Sequence, residues 1–304
     1  MRLGMIGLGK MGGNMARRLR NAGIEVVGFN RDEEVTATLA AECGLVPAES
    51  AEALVSALES PRLVWLMLPA GDITESYVEQ MRTLLQPGDV LIDGANSYYK
   101  DSMRRGALLA DSGIEFIDAG VSGGVWGREN GYAMMVGGSD KAFVAIRPIV
   151  EALAPAVDRG WVHTGPVGSG HFVKMIHNGI EYGMMQAYAE GFALMKGRDD
   201  FGLDLAAIAE SWRHGSVVRS WLLDLSADVL ASDQQLDDVQ AFVADSGEGR
   251  WTALEAIEQG VPTPVMSLAL MARFASQGQQ DYSAKLLAMM RNQFGGHEIR
   301  KRKD

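Results

Sequence analysis

Four polar side chains stand at helical spacing in the middle of the sequence. They are Lys174, His177, Asn178 and Glu181, at positions i, i+3, i+4 and i+7. In an α-helix this spacing places all four on one face. An amine, an imidazole, an amide and a carboxyl group are side chains that hold polar substrates and transfer protons.

The neighbours of this stripe favour a polar seam that faces a cleft. Apolar residues and glycines surround it: Phe172, Met175, Ile176, Ile180, Gly170, Gly179 and Gly183. A helix face that meets only water is usually rich in lysine, arginine and glutamate. Glycines, in addition, let a backbone or a ligand come close. The spacing alone leaves a second interpretation open, a surface Lys–Glu face with a histidine in the core.

A glycine-rich loop lies near the start of the chain. It reads Gly7, Leu8, Gly9, Lys10, Met11 and Gly12, a G-x-G-x-x-G pattern between a strand-like segment and a helical one. In this context the first glycine allows a tight turn, the second admits a pyrophosphate and the third lets helix and strand pack closely. The helix N-terminus favours an anion because its N–H groups are free. The loop therefore predicts a dinucleotide cofactor.

The end of the second predicted strand bears on which dinucleotide binds. It reads Asn30, Arg31 and Asp32. An acid at this point holds the ribose hydroxyls of NAD, whereas an arginine pairs with the 2′-phosphate of NADP. Arg31 after a neutral Asn30 favours NADP, while Asp32 can repel that phosphate or accept a ribose hydroxyl. The sequence favours NADP and leaves NAD open.

The elements that carry these motifs divide the chain near residue 165. Before it, short apolar strands alternate with amphipathic helices, a pattern typical of βαβ units and a mostly parallel sheet. The strands are predicted at Arg2–Gly7, Glu25–Phe29, Leu63–Leu68, Val90–Asp93, Glu115–Asp118 and Tyr132–Gly137. After it, the apolar residues keep a helical period. We predict a Rossmann-type, doubly wound α/β domain over residues 1–165 and an all-α domain over residues 166–304.

Composition excludes several classes of function. The net charge of the 304 residues is −11, which disfavours a nucleic-acid partner. The single cysteine, Cys43, permits no internal disulfide. No run approaches the roughly 18–20 apolar residues that span a bilayer, and no charged-then-apolar leader precedes the first strand. We expect a soluble, cytoplasmic protein without a membrane partner.

Residues 168–183 resemble the signature of the 6-phosphogluconate dehydrogenases, within the wider β-hydroxyacid dehydrogenase family. The resemblance extends along the chain. Residues 7–14 resemble the family's cofactor loop, residues 93–97 its nicotinamide-side loop and residues 121–124 its substrate-binding turn. Landmarks of its helical domain match residues 249–252, 272–274 and 291–297.

The chain departs from the commoner family members in three ways. Those members are much longer, with a largely duplicated helical domain, and this chain resembles the short form. The family often has lysine where Arg250 stands. The long enzymes tend to have threonine where Asp32 stands, which weakens the expectation of strict NADP use.

The resemblance implies an activity. Such enzymes oxidise C3 of 6-phosphogluconate with NADP or NAD, lose CO2 from the 3-keto acid and release ribulose 5-phosphate, a step of the pentose phosphate pathway. Lys174 would be the general base and Glu181 the acid that protonates C1, each uncharged in a dry site. Asn178 would orient the reacting hydroxyl and His177 a neighbouring oxygen. No metal is expected, because Lys174 supplies the cation at the ketone.

The resemblance also assigns binding residues and an assembly. The sugar acid would be held under the nicotinamide by Asn96, Ser122, Gly123 and Gly124, with Asn96 also at the cofactor. The phosphate would be bound by Arg273 and Arg291, with Tyr182 as a hydroxyl donor and Arg250 as an additional cation. His297 is a further substrate-binding residue. Family residues that match Arg291 and His297 reach into the partner subunit's site, which implies a homodimer or a homotetramer.

Two alternatives remain at this point. The first is a sister enzyme acting on hydroxyisobutyrate or tartronate semialdehyde, and Arg273 and Arg291 argue against it. The second is a non-catalytic NADP-binding regulator on the same fold. An intact pair of Lys174 and Glu181 argues against the regulator, since a sensor has no need of it.

Overall fold

An eight-stranded sheet forms the N-terminal part of the protein. The computed structural model describes residues 1–278, 281–295 and 298. The strands are β1 Arg2–Ile6, β2 Glu25–Phe29, β3 Val46–Pro47, β4 Leu63–Leu66, β5 Val90–Asp93, β6 Glu115–Ser122, β7 Ala133–Gly137 and β8 Trp161–Gly165. Their order in the sheet is β3-β2-β1-β4-β5-β6-β7-β8. Neighbouring strands pair in parallel, except β6 and β7, which are antiparallel.

Helices cover both faces of this sheet. They are α1 Lys10–Asn21, α2 Glu33–Cys43, α3 Ala51–Ser56, α4 Asp72–Leu84, α5 Tyr99–Ala110, α6 Gly127–Asn130 and α7 Asp140–Leu153. Successive strand residues point to opposite faces, so Met5 packs in a cluster with Met15 of α1, whereas Ile6 packs in another with Met81 of α4. Two apolar cores explain why the strands read as continuous apolar runs. The predicted doubly wound α/β architecture is confirmed.

Four elements of this part were missing from the strand and helix predictions, namely α2, β8 and the short elements β3 and α6. Helix α2 buries only Thr36 and Leu39, so its sequence carries little helical periodicity. Its ends are instead fixed locally, by Asp32 at the N-cap and by Gly44 in the left-handed conformation at the C-cap. Strand β8 is half exposed at the sheet edge, and its apolar signal is therefore weak.

The remainder of the described chain is helical, as predicted. Its helices are α8 Ser169–Lys196, α9 Leu205–Arg213, α10 Trp221–Ser232, α11 Glu248–Gln259, α12 Pro264–Ser276 and α13 Asp281–Gly295. Helix α10 begins after Ser220, whose hydroxyl caps it by accepting from the Leu223 N–H at 3.1 Å. No helix among residues 1–278, 281–295 and 298 is long and apolar enough to cross a membrane.

The chain divides into two compact units, Met1–Ile176 and His177–Asp304. The division falls within α8, so the first turns of this helix belong to the first unit and its remainder to the second. The second unit has a small core of its own, in which Leu205 and Ala209 of α9 pack with Ala227 and Leu230 of α10. The domain boundary predicted near residue 165 stays a prediction.

We predict that Gly170→Ala destabilises the protein, because α8 begins in tight contact with the sheet. A Cβ atom at Gly170 would lie 2.2 Å from the Asp118 carbonyl oxygen and 2.7 Å from the Gly137 nitrogen, both backbone atoms. We expect urea denaturation to show a loss of about 1–3 kcal/mol in the free energy of unfolding.

The matched control is Gly191→Ala on the same helix, where a Cβ would meet nothing within 4 Å. That change should raise the free energy of unfolding by about 0.5–1 kcal/mol, because alanine loses less backbone freedom in a helix. Equal effects of the two substitutions would contradict the close approach of α8 to the sheet.

Candidate active site

The carboxyl ends of four parallel strands meet at one edge of the sheet. Register pairs Ile6 of β1 with Leu66 of β4, Leu66 with Asp93 of β5, and Asp93 with Asp118 of β6. The strand order reverses between β1 and β4, and ligands of open α/β sheets bind outside this point. The three segments predicted to bind cofactor and substrate, residues 7–12, 93–97 and 121–124, lie at or after the carboxyl ends of β1, β5 and β6.

The glycine loop has the backbone that a bound pyrophosphate requires. Gly7 has φ +91°, and a Cβ there would lie 2.3 Å from the Met67 carbonyl oxygen. A Cβ at Gly12 would lie 2.1 Å from the Gly7 carbonyl oxygen, so only glycine lets α1 pack this closely on β1. Gly9, by contrast, has open space around its Cα and gives α1 no side-chain cap. The first N–H groups of α1 are therefore available to an anion, and the loop fits a dinucleotide.

The residues after β2 are arranged around this loop. Asn30 accepts from the Leu8 N–H at 3.0 Å and donates to the Asp32 carbonyl oxygen at 3.2 Å. Asp32 caps α2 by accepting from the Glu34 N–H at 3.1 Å. Arg31 is exposed. Asn30 thus ties β2 to the glycine loop, and Arg31 keeps its guanidinium at the surface.

The Lys174 side chain is buried, with 8% of its surface exposed. Strand β6 lies directly beneath it, since a Cβ at Gly120 would come within 2.4 Å of the Lys174 Cβ. The Asp118 carboxylate, two residues earlier on β6, accepts from the Gly168 N–H at 2.7 Å and the His171 N–H at 2.8 Å. Asp118 therefore fastens the start of α8 to the carboxyl edge of the sheet.

Asp118 was missing from the predicted site. Burial raises the pKa of its carboxyl group, and the His171 ring and the two N–H donors act in the opposite direction. His171 is itself buried, with its Nδ1 2.6 Å from the Ser102 Oγ of α5. An acid between the apolar residues 116–117 and 119–121 of β6 was the sequence signal that could have identified this anchor.

The substrate-turn residues follow Ser122 at the end of β6. Gly123 and Gly124 have φ +139° and +52°, conformations that other residues rarely adopt. They lead into a short 3-10 turn, where the Val125 carbonyl oxygen accepts from the Asn14 amide of α1 at 3.2 Å. This turn is therefore tied to the helix that follows the glycine loop. Asn96, after β5, is exposed between the buried Ala95 and Ser97.

The rest of the polar stripe lies in the second unit. The Nδ1 atom of His177 is 3.1 Å from the Asn178 Oδ1 and 3.8 Å from the Glu181 Oε2. The His177 ring thus lies between the side chains of Asn178 and Glu181 on the same helix. The Glu181 side chain is 41% exposed. The dry environment predicted for Glu181 stays a prediction.

Two predicted phosphate-binding residues are in contact. The Arg273 guanidinium lies 3.4 Å from the centre of the Tyr182 ring and donates to the Ala244 carbonyl oxygen at 2.9 Å. The Tyr182 hydroxyl is 3.2 Å from the Ser246 Oγ, which donates to the buried Glu248 carboxylate at 2.6 Å. Ser246 was also missing from the predicted site, because nothing in its local sequence marks it.

The other predicted phosphate ligands differ in position. Arg250 lies over the Phe274 ring, 4.6 Å from its centre, and forms an ion pair with Asp245 that neutralises its charge. Arg291 is exposed on α13. His297 lies outside the described residues. The structure thus brings together Tyr182 and Arg273, and gives no contact between them and Arg291.

The glycines of the stripe admit other parts of the protein. A Cβ at Gly179 would lie 2.8 Å from the Thr252 Cγ2 of α11, and one at Gly183 would lie 3.2 Å from the Val265 Cγ1 of α12. Both glycines therefore serve helix packing in the second unit. In the described part of the chain, no three His, Cys, Asp or Glu side chains form a group that could hold a metal ion.

Comparison with known proteins assigns the family. Residues 2–163 match the NAD binding domain of 6-phosphogluconate dehydrogenase, and residues 170–304 match the C-terminal domain of that enzyme. A Haloferax volcanii protein named NAD(+)-dependent, decarboxylating 6-phosphogluconate dehydrogenase is 42% identical over 306 residues, covering all of both chains. The NADP(+)-dependent enzyme of Bacillus subtilis is 36% identical over 291 residues, covering 92% of this chain and 62% of its own length.

A solved structure agrees with these relatives. The 6-phosphogluconate dehydrogenase of Plasmodium falciparum superposes with a TM-score of 0.84 at 30% identity, covering all of this chain and 67% of that one. Two domain matches that together span almost the whole sequence show that the chain belongs to the 6-phosphogluconate dehydrogenase family of NAD(P)-dependent oxidoreductases.

Proposed function

We propose that the protein oxidises and decarboxylates 6-phosphogluconate, giving ribulose 5-phosphate and CO2, with NADP or NAD as the oxidant. The observation that carries the proposal is the position of Lys174. Its buried amine belongs to a helix whose start is fastened by Asp118 to the sheet edge at which a dinucleotide binds.

The glycine loop supplies the cofactor site. The N–H groups at the start of α1 would hold the pyrophosphate, and Gly9 leaves room for it. When bound, the nicotinamide supplies the acceptor for the hydride that leaves C3 of the sugar acid. Asn96, from the loop after β5, would contact both cofactor and substrate.

Lys174 would act on the C3 hydroxyl group. A base must be neutral to accept a proton, and a buried amine loses its charge more easily than an exposed one. After it accepts the proton, the Lys174 ammonium would stabilise negative charge at the C3 oxygen while CO2 leaves. The same residue would thus serve two successive steps without a metal ion.

Glu181 would supply the proton that C1 needs after CO2 has left. Seven residues along one helix separate it from Lys174, a rise of about 10 Å, so the two long side chains would have to converge on neighbouring carbon atoms of the substrate. Its carboxyl group must be protonated to donate, so bound substrate or a second subunit would have to cover the half-exposed side chain. Asn178 and His177 would hold the neighbouring hydroxyl groups.

The two ends of the substrate would be bound by different residues. Ser122, Gly123 and Gly124 would hold the sugar acid near the nicotinamide. Arg273, Tyr182 and Arg291 would bind the phosphate, with Arg250 as an additional cation and His297 as a further candidate. Arginine suits this role because its planar group donates to two oxygens at once.

The cofactor preference depends on the start of α2. Arg31 is exposed and can pair with a 2′-phosphate, which favours NADP. Asp32, Glu33 and Glu34 place three carboxylates in the same turn, and these disfavour an added phosphate. Both cofactors are therefore proposed, with Arg31 as the group that favours NADP.

A homo-oligomer, either a dimer or a tetramer, accounts for the surface of the second unit. Several large apolar residues of α11 and α12 are more than half exposed: Leu254, Ile257, Val265, Leu268 and Met271. Large apolar side chains exposed on two neighbouring helices favour an interface with a partner. A second copy of the chain is the partner that family membership suggests.

A substrate comparison tests the proposed function. We expect initial rates with 6-phosphogluconate to exceed those with 3-hydroxyisobutyrate by at least about 100-fold, because the unphosphorylated acid leaves Arg273 unpaired. Rates would be measured with NADP and NAD in parallel, with released CO2 trapped. Turnover of an unphosphorylated acid alone would favour the sister enzymes, and cofactor binding without any turnover would favour a regulator.

Lys174→Met should abolish hydride transfer while the dissociation constant for the dinucleotide stays within about twofold. Loss of the base removes a proton acceptor, which typically lowers kcat by at least about 100-fold. The control is Lys196→Met at the far end of α8, where the amine donates to the carbonyl oxygens of Gln234 and Gln235. Substantial oxidation by the Lys174 variant would remove this residue from the base role.

Glu181→Gln should slow overall conversion and change its dependence on pH. The acid donates only when protonated, so wild-type kcat should fall at alkaline pH, and the variant should lack that limb. Glu190→Gln is the control on the same helix, because Glu190 is exposed and accepts from Gln186 at 2.8 Å. An unaltered profile in Glu181→Gln would assign the proton to another group.

A further inference from the structure

A buried ion pair lies directly behind the loop that carries Asn96. Asp93, at the end of β5, and Arg105, on α5, are at most 1% exposed, and the Arg105 Nη1 is 2.9 Å from the Asp93 Oδ2. Asp93 also accepts from the Ala95 N–H at 3.0 Å and from the Ser97 hydroxyl at 2.9 Å. The Arg105 Nη1 donates to that same Ser97 oxygen at 3.1 Å.

These contacts fix the residues on both sides of Asn96. Ala95 is held through its backbone and Ser97 through its side chain, and both are buried. Asn96 is the one exposed residue in the run from 90 to 97. A loop that is clamped at both neighbours loses little further freedom when a ligand binds to the residue between them. The fixed neighbours therefore restrict the backbone of Asn96.

The charges behind the loop are balanced by two further residues. The Arg105 Nε donates to the Glu75 Oε2 of α4 at 2.8 Å, and Arg104 donates to both Glu75 oxygens at 2.6 and 2.7 Å. Arg104 and then Arg105 hold the pKa of Glu75 at about 2, so its carboxyl group is charged at neutral pH. Two arginines thus face two carboxylates, and Arg105 bridges both acids.

Stability alone is a weak reason for such an arrangement. Removing charges from water costs several kcal/mol per ion, and well-packed apolar residues often replace a buried ion pair without loss. An apolar pair cannot replace the directed hydrogen bonds of this cluster. Asp93 accepts from Ala95 and Ser97, and Arg105 donates to Ser97. Their value lies in the geometry of this loop.

We propose that Arg105 and Asp93 are positioning residues, which act on catalysis by holding Asn96 toward the substrate. This inference depends on the proposed function only in taking Asn96 as a substrate-binding residue. Arg105 reaches the reaction through the Asp93–Ser97 contacts, and loss of Arg105 should therefore matter only while Asn96 is present.

A double-mutant cycle tests this dependence. Arg105→Met should lower kcat/KM for 6-phosphogluconate by at least about tenfold, because Asn96 loses its fixed position. Arg105→Lys keeps the charge and one donor and should recover part of the loss. In an Asn96→Ala background, Arg105→Met should cause less than about a twofold further loss.

Arg62→Met is the matched control. Arg62 and Asp89 form an equivalent Arg–Asp pair of 3.0 Å, with Asp89 buried, just before strands β4 and β5 rather than after them. Asp89 likewise accepts from the backbone N–H groups of Arg62 and Gln86. This variant should lower the free energy of unfolding and leave kcat/KM unchanged.

A second readout does not depend on activity. Arg105→Met should increase amide hydrogen exchange at residues 95–97, and Arg62→Met should not. If Arg105→Met does not fold, Ser97→Ala takes its place, since it removes the hydroxyl that joins Arg105 to the loop.

Three outcomes would overturn the inference. They are an unchanged kcat/KM in folded Arg105→Met, an equal fold-loss with and without Asn96, and unchanged exchange at residues 95–97. Absence of turnover in the wild-type protein would instead refute the proposed function, and the exchange measurement would still decide whether Arg105 orders the loop.

Discussion

The structure depends on the hydrogen bonds that the Asp118 carboxylate accepts from the N–H groups of Gly168 and His171. A helix leaves its first N–H groups without partners. A carboxylate at this end accepts hydrogen bonds from them and interacts favourably with the helix dipole. Because Asp118 belongs to β6, the start of α8 is fixed on the sheet itself. Lys174 follows His171 by less than one helical turn, and its position is set by the same anchor.

Glycines make this anchor possible. Gly120 of β6, Gly137 of β7 and Gly170 of α8 all lie where a side chain would meet backbone atoms or the Lys174 stem. The helix can approach the sheet only because these positions have no Cβ atom. The resulting close packing buries the Lys174 amine although the chain as a whole is acidic, with a net charge of −11.

Local motifs were the features that the sequence could predict. Each of these motifs is formed by residues that are close together in the sequence. They are the glycine loop, the alternation of strands and helices, and the single polar face of α8. Helical period gives the direction of a side chain and not its depth, however. Lys174 and Glu181 share a face by spacing, and yet Lys174 is buried whereas the Glu181 side chain is 41% exposed.

Contacts between distant segments could not be read in the same way. Asp118 and Gly168 are 50 residues apart, and the ion pair of Asp93 and Arg105 joins a strand end to the following helix. Each acid looks like a local irregularity in an apolar strand until the fold supplies its partner. Buried polar groups are almost always hydrogen-bonded, so an isolated acid in such a strand predicts a partner without identifying it.

Chemical replacement of the Lys174 amine is the most direct test of the account. Lys174→Cys would be made together with Cys43→Ala, since Cys43 is the chain's single cysteine, and then treated with 2-bromoethylamine to restore an amine of similar length. We predict that the unmodified variant is inactive with 6-phosphogluconate and that modification restores turnover by at least about tenfold. A fully modified, folded variant that binds dinucleotide and remains inactive would contradict the central role of this amine.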